Sequence, residues 1–138
     1  MNGPSKHLSW KELACKDGAA YPSMWRITRA IPLAEVFEAI RYACGDKPIT
    51  VVSAYRTLSH NTKVGGAKTS QHMEGRALDL RPPYGMTVDE FYEKIVELIE
   101  RGIMIRGLGK YRTFVHIDIR PTQKLARWSG HTLKDDRA

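Results

Sequence analysis

A seven-residue stretch, FVHIDIR at positions 114–120, constrains the fold more than any other part of the chain. Apolar and polar residues alternate there, so one strand face carries Val115, Ile117 and Ile119 and the other carries Phe114, His116, Asp118 and Arg120. The segment RALDLR at 76–81 alternates in the same way, with Leu78 and Leu80 on one side and Ala77, Asp79 and Arg81 on the other. Both segments predict strands of a sheet that has one aliphatic and one polar face.

Helix signals flank these strands. Two residue pairs have the spacing of a capping box, Ser9 with Glu12 and Thr87 with Glu90. Apolar residues recur at helical spacing over 33–40 and 88–99. A β-rich run at 48–55 predicts a further strand, whereas the polar segment 56–69 predicts a loop. This order of elements predicts an α+β domain with a small, largely antiparallel sheet flanked by helices.

The length of 138 residues suits one domain, 1–138, with a core of its own. The chain has no run of ~18 apolar residues, so we expect no membrane insertion. Its first eighteen residues lack the apolar centre of a signal peptide, so we expect the protein to be made in the cytoplasm. We also expect it to be a monomer. Cys15 and Cys44 fit no CxxC pair and are predicted to be small buried hydrophobes, with one disulfide between them left open.

The formal net charge of +7 favours polyanionic partners, either nucleic acid or an anionic cell envelope. The basic residues are scattered, with no run of five and no arginine-rich arm. This distribution is not typical of a nucleic-acid-binding surface. We therefore expect no nucleic-acid partner.

Side chains that can bind a metal lie on the polar faces of both predicted strands. Asp79 lies on the first, His116 and Asp118 lie on the second, and His72 lies just upstream, beyond a glycine that allows a tight turn. If the strands are neighbours, His72, Asp79 and His116 converge on one point. Two imidazoles and one carboxylate are a recurrent ligand set for catalytic zinc, with water in the fourth position. Zinc lowers the pKa of that water to ~7, which permits hydrolysis of an amide or ester.

The alternative interpretation is that the two histidines, 44 residues apart, are ordinary core or surface groups. That interpretation explains less well why Asp79 and Asp118 would share a face with them, because a buried carboxylate is costly unless it is paired or bound to a metal.

The motif S-x-H-x-x-G-x-A-x-D at 70–79, with a later F-x-H-x-D at 114–118, resembles the zinc peptidases of bacterial cell walls. These are the D-Ala-D-Ala carboxypeptidases and dipeptidases, the L-Ala-D-Glu endopeptidases of phage lysins and related murein endopeptidases. The zinc-binding amino-terminal domain of Hedgehog proteins shares their fold. The resemblance extends from HLSWKELACKDG through SAYRTLSHNTKVGGAKTSQH to FVHIDIRP, and is nearest to small phage-type members. It implies one zinc ion bound by His72, Asp79 and His116.

The resemblance also implies residues that act on the substrate. Arg56, in SAYRT, matches an arginine directed at the carbonyl or carboxylate near the metal, where a guanidinium stabilises developing charge. Ser70 and Gln71 would line the same pocket. Tyr111, just before the last strand, is a candidate donor to substrate, with a packing role as the alternative.

One position departs from the pattern. Several branches of the family carry an acidic general base three residues before the last histidine, and Thr113 occupies that position here. Asp118 is the candidate catalytic base in its place, because Cα atoms two apart in a strand lie only ~6.6–6.8 Å from each other. Asp118 could equally orient a histidine ligand. Glu74, between the ligands, is the rival base.

The favoured function is that of a zinc metallopeptidase, either an endopeptidase or a D,D-carboxypeptidase, that hydrolyses a peptide bond of peptidoglycan in the stem peptide or a cross-link. The expected type is an endolysin or murein endopeptidase of phage type. We expect it to reach the wall through a holin-type membrane lesion. One alternative is a non-catalytic, zinc-containing cell-wall-binding module, motivated by Thr113. The other is a nucleic-acid-binding protein, motivated by charge alone.

Overall fold

The computed structural model describes residues 2–130, so the predicted domain limits of 1–138 extend beyond the described residues. The helices are α1 (Trp10–Leu13), α2 (Ile31–Ala43), α3 (Leu58–Lys63) and α4 (Val88–Glu100). The strands are β1 (Thr50–Ser53), β2 (Ala77–Arg81), β3 (Gly107–Lys110), β4 (Val115–Asp118) and β5 (Ala126–Ser129). A 3₁₀ turn (Ser23–Trp25) and a π-helical turn (Arg26–Ala30) lead into α2. The α+β class predicted from the sequence is confirmed.

The five strands form one sheet in the order β1-β2-β4-β3-β5. Three of the four pairings are antiparallel, and β3 pairs with β5 in parallel, so the prediction of a largely antiparallel sheet is confirmed. Strands β2 and β4 are neighbours in the interior of the sheet, with Leu78 opposite Ile117 and Asp79 opposite His116. The register therefore sets aliphatic residues beside aliphatic residues and polar residues beside polar residues.

The aliphatic faces of β2 and β4 join the apolar sides of α2 and α4 in the core. Five large members from the two helices are at most 1% exposed: Leu33, Phe37, Ile40, Phe91 and Ile95. Full burial of one such side chain stabilises the fold by about 1.5–3 kcal/mol. Because this core holds β2 and β4 from one side, the opposite face of the sheet is free to carry chemistry.

The helix starts follow the sequence closely. At α1 the Ser9 hydroxyl accepts from the Glu12 N–H, and the Glu12 carboxylate accepts from the Ser9 N–H. The same reciprocal pair joins Thr87 and Glu90 at α4. Both capping boxes are confirmed.

Three elements differ from the sequence prediction. The polar segment 56–69 contains α3, which begins because the Thr57 hydroxyl accepts from the His60 N–H. Strands β3 and β5 are only four residues long, and neither is predicted from the sequence. The two glycines of β3 leave room for large neighbouring side chains, as described below.

Cys15 and Cys44 are both buried and both free, which leaves no disulfide between them. Among residues 2–130, no helix combines the length and apolar character needed to cross a bilayer.

Candidate metal centre

The pairing of β2 with β4 places two of the predicted ligands side by side. Asp79 lies directly opposite His116, and both side chains lie on the polar face of the sheet. Asp79 is 3% exposed and His116 is 6% exposed. The sheet therefore supplies a carboxylate and an imidazole at one buried point.

The turn before β2 supplies the third ligand. Gly75 has a φ of +68°, a left-handed conformation that glycine adopts without strain, and its N–H donates to the His72 carbonyl (3.2 Å). The Tyr21 hydroxyl donates to the Gly75 carbonyl (2.7 Å), and burial raises the pKa of Tyr21 to about 12, so the hydroxyl keeps its proton. The backbone N–H of Arg56 also donates to the His72 carbonyl (3.0 Å). These bonds hold the His72 imidazole over the sheet.

The three side chains offer ligand atoms that all lie within 4.8 Å of one another. Asp79 Oδ1 lies 3.1 Å from His72 Nε2 and 2.9 Å from His116 Nδ1. Two ligands of a tetrahedral zinc ion, each at about 2.0–2.2 Å from the metal, are separated by about 3.3–3.6 Å. The spacing of the cluster is therefore close to that of a zinc site.

The protonation of His72 tests this fit. His72 Nδ1 lies 2.6 Å from the Ala54 carbonyl, which can only accept, so Nδ1 carries the proton. Burial lowers the pKa of His72, which keeps the ring neutral and leaves a lone pair on Nε2. That buried Nε2 has no hydrogen-bond partner among the described residues and faces the Asp79 carboxylate. The lone pairs of His72 Nε2 and the Asp79 carboxylate repel each other unless a cation lies between them. One zinc ion fits the three ligands.

A second carboxylate orients His116 from the other side. His116 Nε2 lies 2.7 Å from Asp118 Oδ2, and Arg120 donates twice to the same carboxylate (2.8 and 2.7 Å). Burial alone would lower the pKa of His116, but hydrogen bonds to Asp118 and Asp79 raise it to about 9. A cation is therefore favoured at Nδ1, and a carboxylate that holds the far nitrogen of a ligating histidine is the usual arrangement around zinc.

Strand β3 makes room for Asp118. Gly107 lies opposite Asp118 in the register, and a Cβ at Gly107 would lie 2.1 Å from Asp118 Oδ2. The carboxylate is 0% exposed and bonds to the nitrogen of His116 that points away from Asp79. The structure thus places Asp118 behind His116 and outside the lining of the metal pocket, which is the geometry of the alternative role, orientation of His116. The role of Asp118 as catalytic base stays a prediction.

Glu74, the rival base, lies outside the cluster. Its side chain is 49% exposed and lies 3.5 Å from Arg29 Nη1 and 3.6 Å from Arg76 Nη1. Asp79 is the one carboxylate among the described residues that line the metal pocket. The described part of the pocket therefore offers no second acid beside the metal ligands.

The metal cluster opens into a pocket of about 450 Å³. Ser70 and Tyr111, both predicted to contact substrate, line this pocket. Gln71 instead lines an adjoining hollow, and its buried Oε1 has no hydrogen-bond partner among residues 2–130. The structure thus places Ser70 and Tyr111 in the metal pocket and Gln71 in the neighbouring hollow.

Arg56 lines the same pocket and is held on three sides. Its Nε donates to Ser53 (3.1 Å), Nη1 to Asn61 (3.3 Å) and Nη2 to Asp79 Oδ2 (3.4 Å). Burial lowers the pKa of Arg56 and the charge of Asp79 opposes that shift. A guanidinium stays protonated in proteins, so a fixed positive charge lies beside the ligand cluster.

Two residues of this site were not predicted from the sequence. Asn61 is 2% exposed, and its amide donates to the Ala67 carbonyl (2.9 Å), which ties the loop over Arg56 to α3. Trp128 donates from Nε1 to the Tyr111 hydroxyl (2.7 Å), and its ring centroid lies 5.2 Å from that of His116. No local sequence pattern marks either residue. Asn61 lies in a polar segment, and Trp128 reaches the site only through the parallel pairing of β5 with β3.

Comparison with known proteins gives two matches. A family model described as Peptidase M15 matches residues 6–118. The zinc D-Ala-D-Ala carboxypeptidase of Streptomyces albus G is 43% identical over 61 residues. That alignment covers 44% of this chain and 20% of the relative, so the match spans about a fifth of the relative's length.

Proposed function

This chain belongs to the Peptidase M15 family, and from that premise we propose that it is a zinc-dependent peptidase that hydrolyses a peptide bond of peptidoglycan. The observation that carries the proposal is the cluster of His72, Asp79 and His116, with the unpartnered His72 Nε2 at its centre. The carboxypeptidase of Streptomyces albus G, named for zinc and D-Ala-D-Ala, supports both the metal and the substrate class.

The residues divide the chemistry among them. His72, Asp79 and His116 would hold a zinc ion, which would supply a Lewis acid and activate water for hydrolysis. Arg56 directs its guanidinium into the pocket, where it would hold the scissile carbonyl and stabilise the negative charge that develops on its oxygen. Asp118 keeps the proton of His116 on Nε2, so that Nδ1 presents its lone pair to the metal. The Ala54 carbonyl does the same for His72.

The finer assignment is an endolysin or murein endopeptidase of phage type that acts on the wall after release through a membrane lesion. The net charge of +7 supports it, since a cationic protein is held at an anionic envelope without a separate binding module. Lysis of cells that express the chain, only when a pore-forming protein is co-expressed, would support this assignment. Lysis without the pore would contradict it.

The test of the activity is digestion of purified peptidoglycan, with products identified by mass spectrometry. We expect soluble peptides with new termini from the zinc-loaded protein, none after chelation, and recovery when zinc is restored. The matched controls are Asp79→Ala, which removes a ligand, and Asp46→Asn, which neutralises an exposed carboxylate that does not line the pocket.

One set of results would favour the main alternative to the peptidase, a zinc-containing wall-binding module. The absence of a second carboxylate in the described pocket favours a wall-binding module that holds zinc without turnover. One bound zinc per chain, retention on peptidoglycan and no new termini under any condition would establish that module and contradict the peptidase.

A further inference from the structure

The metal pocket does not end at the ligands. A second hollow adjoins it, because Lys68 and Ser70 line both. A third hollow, of about 780 Å³, adjoins the second through Arg76 and Pro121. The three hollows lie in a row, each sharing two lining residues with the next, from the metal cluster to the loops after α4 and β4. This row of hollows is here called the long groove.

Positive charge follows the whole length of the long groove. Lys68 lines its first two hollows, Arg76 its last two, and Arg106 and Arg120 its third. Arg120 is paired with Asp118, and Arg76 lies 3.6 Å from Glu74. Within the described range, neither Lys68 nor Arg106 has a carboxylate within 4.0 Å, so their charges are available to a ligand.

Arg106 is the cation best placed to bind an anion in the third hollow. Its guanidinium contacts only the Ile105 carbonyl (3.5 Å) and the Met104 sulfur (3.1 Å) among the interactions of residues 2–130. Glu35 is the one carboxylate among the described residues that line this hollow. Three arginines line the hollow, and Arg106 is the one of them with no ion pair among the described residues, so an incoming carboxylate would meet a guanidinium that gives up no ion pair to receive it.

The lining of the third hollow also contains apolar side chains. Ile103, Met104 and Ile119 contribute to it, and Met104 is 59% exposed. Apolar surface beside unpaired cations suits a peptide that carries both small apolar side chains and carboxylates. A single-stranded nucleic acid fits less well, because no aromatic ring for a base to stack on is among the described residues that line the third hollow.

We propose that the third hollow binds a carboxylate-bearing part of the same peptide substrate, several residues away from the bond that is cut, and that Arg106 is its main specificity residue. This inference rests on the proposed peptidase function. It implies an enzyme that prefers long or cross-linked peptides to a terminal dipeptide, because binding energy from a remote part of the substrate is available to the reaction.

The experiment uses two synthetic peptides with the same scissile bond. One carries free carboxylates on the distal part, and the other carries amides at those positions. The wild-type protein should cleave the carboxylate peptide with a kcat/KM about tenfold or more above that of the amidated peptide, as expected for a charge-assisted hydrogen bond. In Arg106→Gln this ratio should fall to near one.

Arg81→Gln is the matched control, since Arg81 is an exposed arginine at the end of β2 that does not line the long groove. It should keep the wild-type ratio. An unchanged ratio in Arg106→Gln, or an equal loss in both arginine variants, would overturn the inference. Unfolding curves of the two variants, which should match, exclude a folding defect.

A failure of the peptidase function is distinguishable from a failure of this inference. If neither peptide is cleaved, the activity is wrong, and binding of the same labelled peptides to the full chain is measured by fluorescence anisotropy. Tighter binding of the carboxylate peptide that is lost in Arg106→Gln would still support the groove. Equal binding of both peptides would overturn it.

Discussion

The two faces of the β2–β4 pair are equally buried and chemically opposite. On one face Leu78, Leu80 and Ile117 are 0% exposed, and on the other Asp79, His116 and Asp118 are at most 6% exposed. Burial of the first face stabilises the fold in proportion to the apolar area removed from water. Burial of the second costs free energy unless every polar group finds a partner. The difference shows that burial identifies the core, whereas only the partners of buried groups identify the site.

The polar face satisfies this condition through a chain of contacts. Arg120 pairs with Asp118, Asp118 with His116, and His116 with Asp79. The chain is interrupted at His72 Nε2, which has no hydrogen-bond partner in the described structure. The interruption lies where a zinc ion fits, so the metal completes the network.

The substitution with the greatest predicted consequence is Asp79→Ala, at the centre of the polar face. In Asp79→Ala, both imidazoles lose the ligand that lies between them, so we expect zinc to fall from one per chain to near zero and peptide hydrolysis to fall to background. Metal analysis of the purified variant and the digestion assay check this. A variant that keeps a full equivalent of zinc would remove Asp79 from the ligand set.

Leu78→Ala, one residue away on the opposite face, should lower the stability of the fold and leave zinc binding intact. It removes a fully buried side chain, so the free energy of unfolding should fall by about 2–5 kcal/mol, measured by urea denaturation. The folded protein should keep its zinc, because no partner of a ligand has changed. Loss of zinc with little loss of stability would show that the two faces are not independent.

Asp118→Asn separates the orienting role from that of a base. If Asp118 orients His116, zinc affinity should fall by about 10–100-fold, measured by competition with a chelator, while the zinc-saturated variant keeps some turnover. Asp46→Asn, at an exposed ion pair with Arg41, is the control. Normal zinc affinity with complete loss of turnover would support the role of Asp118 as catalytic base.

The smallest effect concerns a carboxylate that is only partly buried. Glu38 accepts hydrogen bonds from the Ser5 hydroxyl (2.6 Å) and the His7 N–H (2.8 Å). Burial opposes the shift, but these bonds and His7 together lower the pKa of Glu38 below its ordinary value of 4.5. Its contribution to stability is therefore present above pH 4.5 and lost as pH falls through the lowered pKa.

Glu38→Gln should accordingly lower the free energy of unfolding by about 1 kcal/mol or less at pH 7, and by less still in acid. Thermal unfolding at several pH values measures the difference between the variant and the wild-type protein. A gap that widens as pH falls below 4.5 would contradict the lowered pKa of Glu38.

Much of this fold is readable from local patterns. The two capping boxes mark the starts of α1 and α4, and period-two alternation marks β2 and β4. Strand β3 has no such pattern, because two of its four residues are glycines. The space beside each glycine is occupied by a side chain from a neighbouring strand. A Cβ at Gly107 would meet the Asp118 carboxylate, and one at Gly109 would lie 2.5 Å from Trp128 Nε1. Such requirements arise only between distant segments.

Which residues can share a strand face follows from the order of the amino acids, because alternation along a strand is a local property of the backbone. That order already has Asp79, His116 and Asp118 face the same way. Which of them meet depends on the folded chain, since the register of β2 with β4 and the turn at Gly75 depend on packing between distant segments. The folded chain also sets Asp118 behind His116, because the side of an imidazole that a carboxylate contacts is set by rotamers and neighbours.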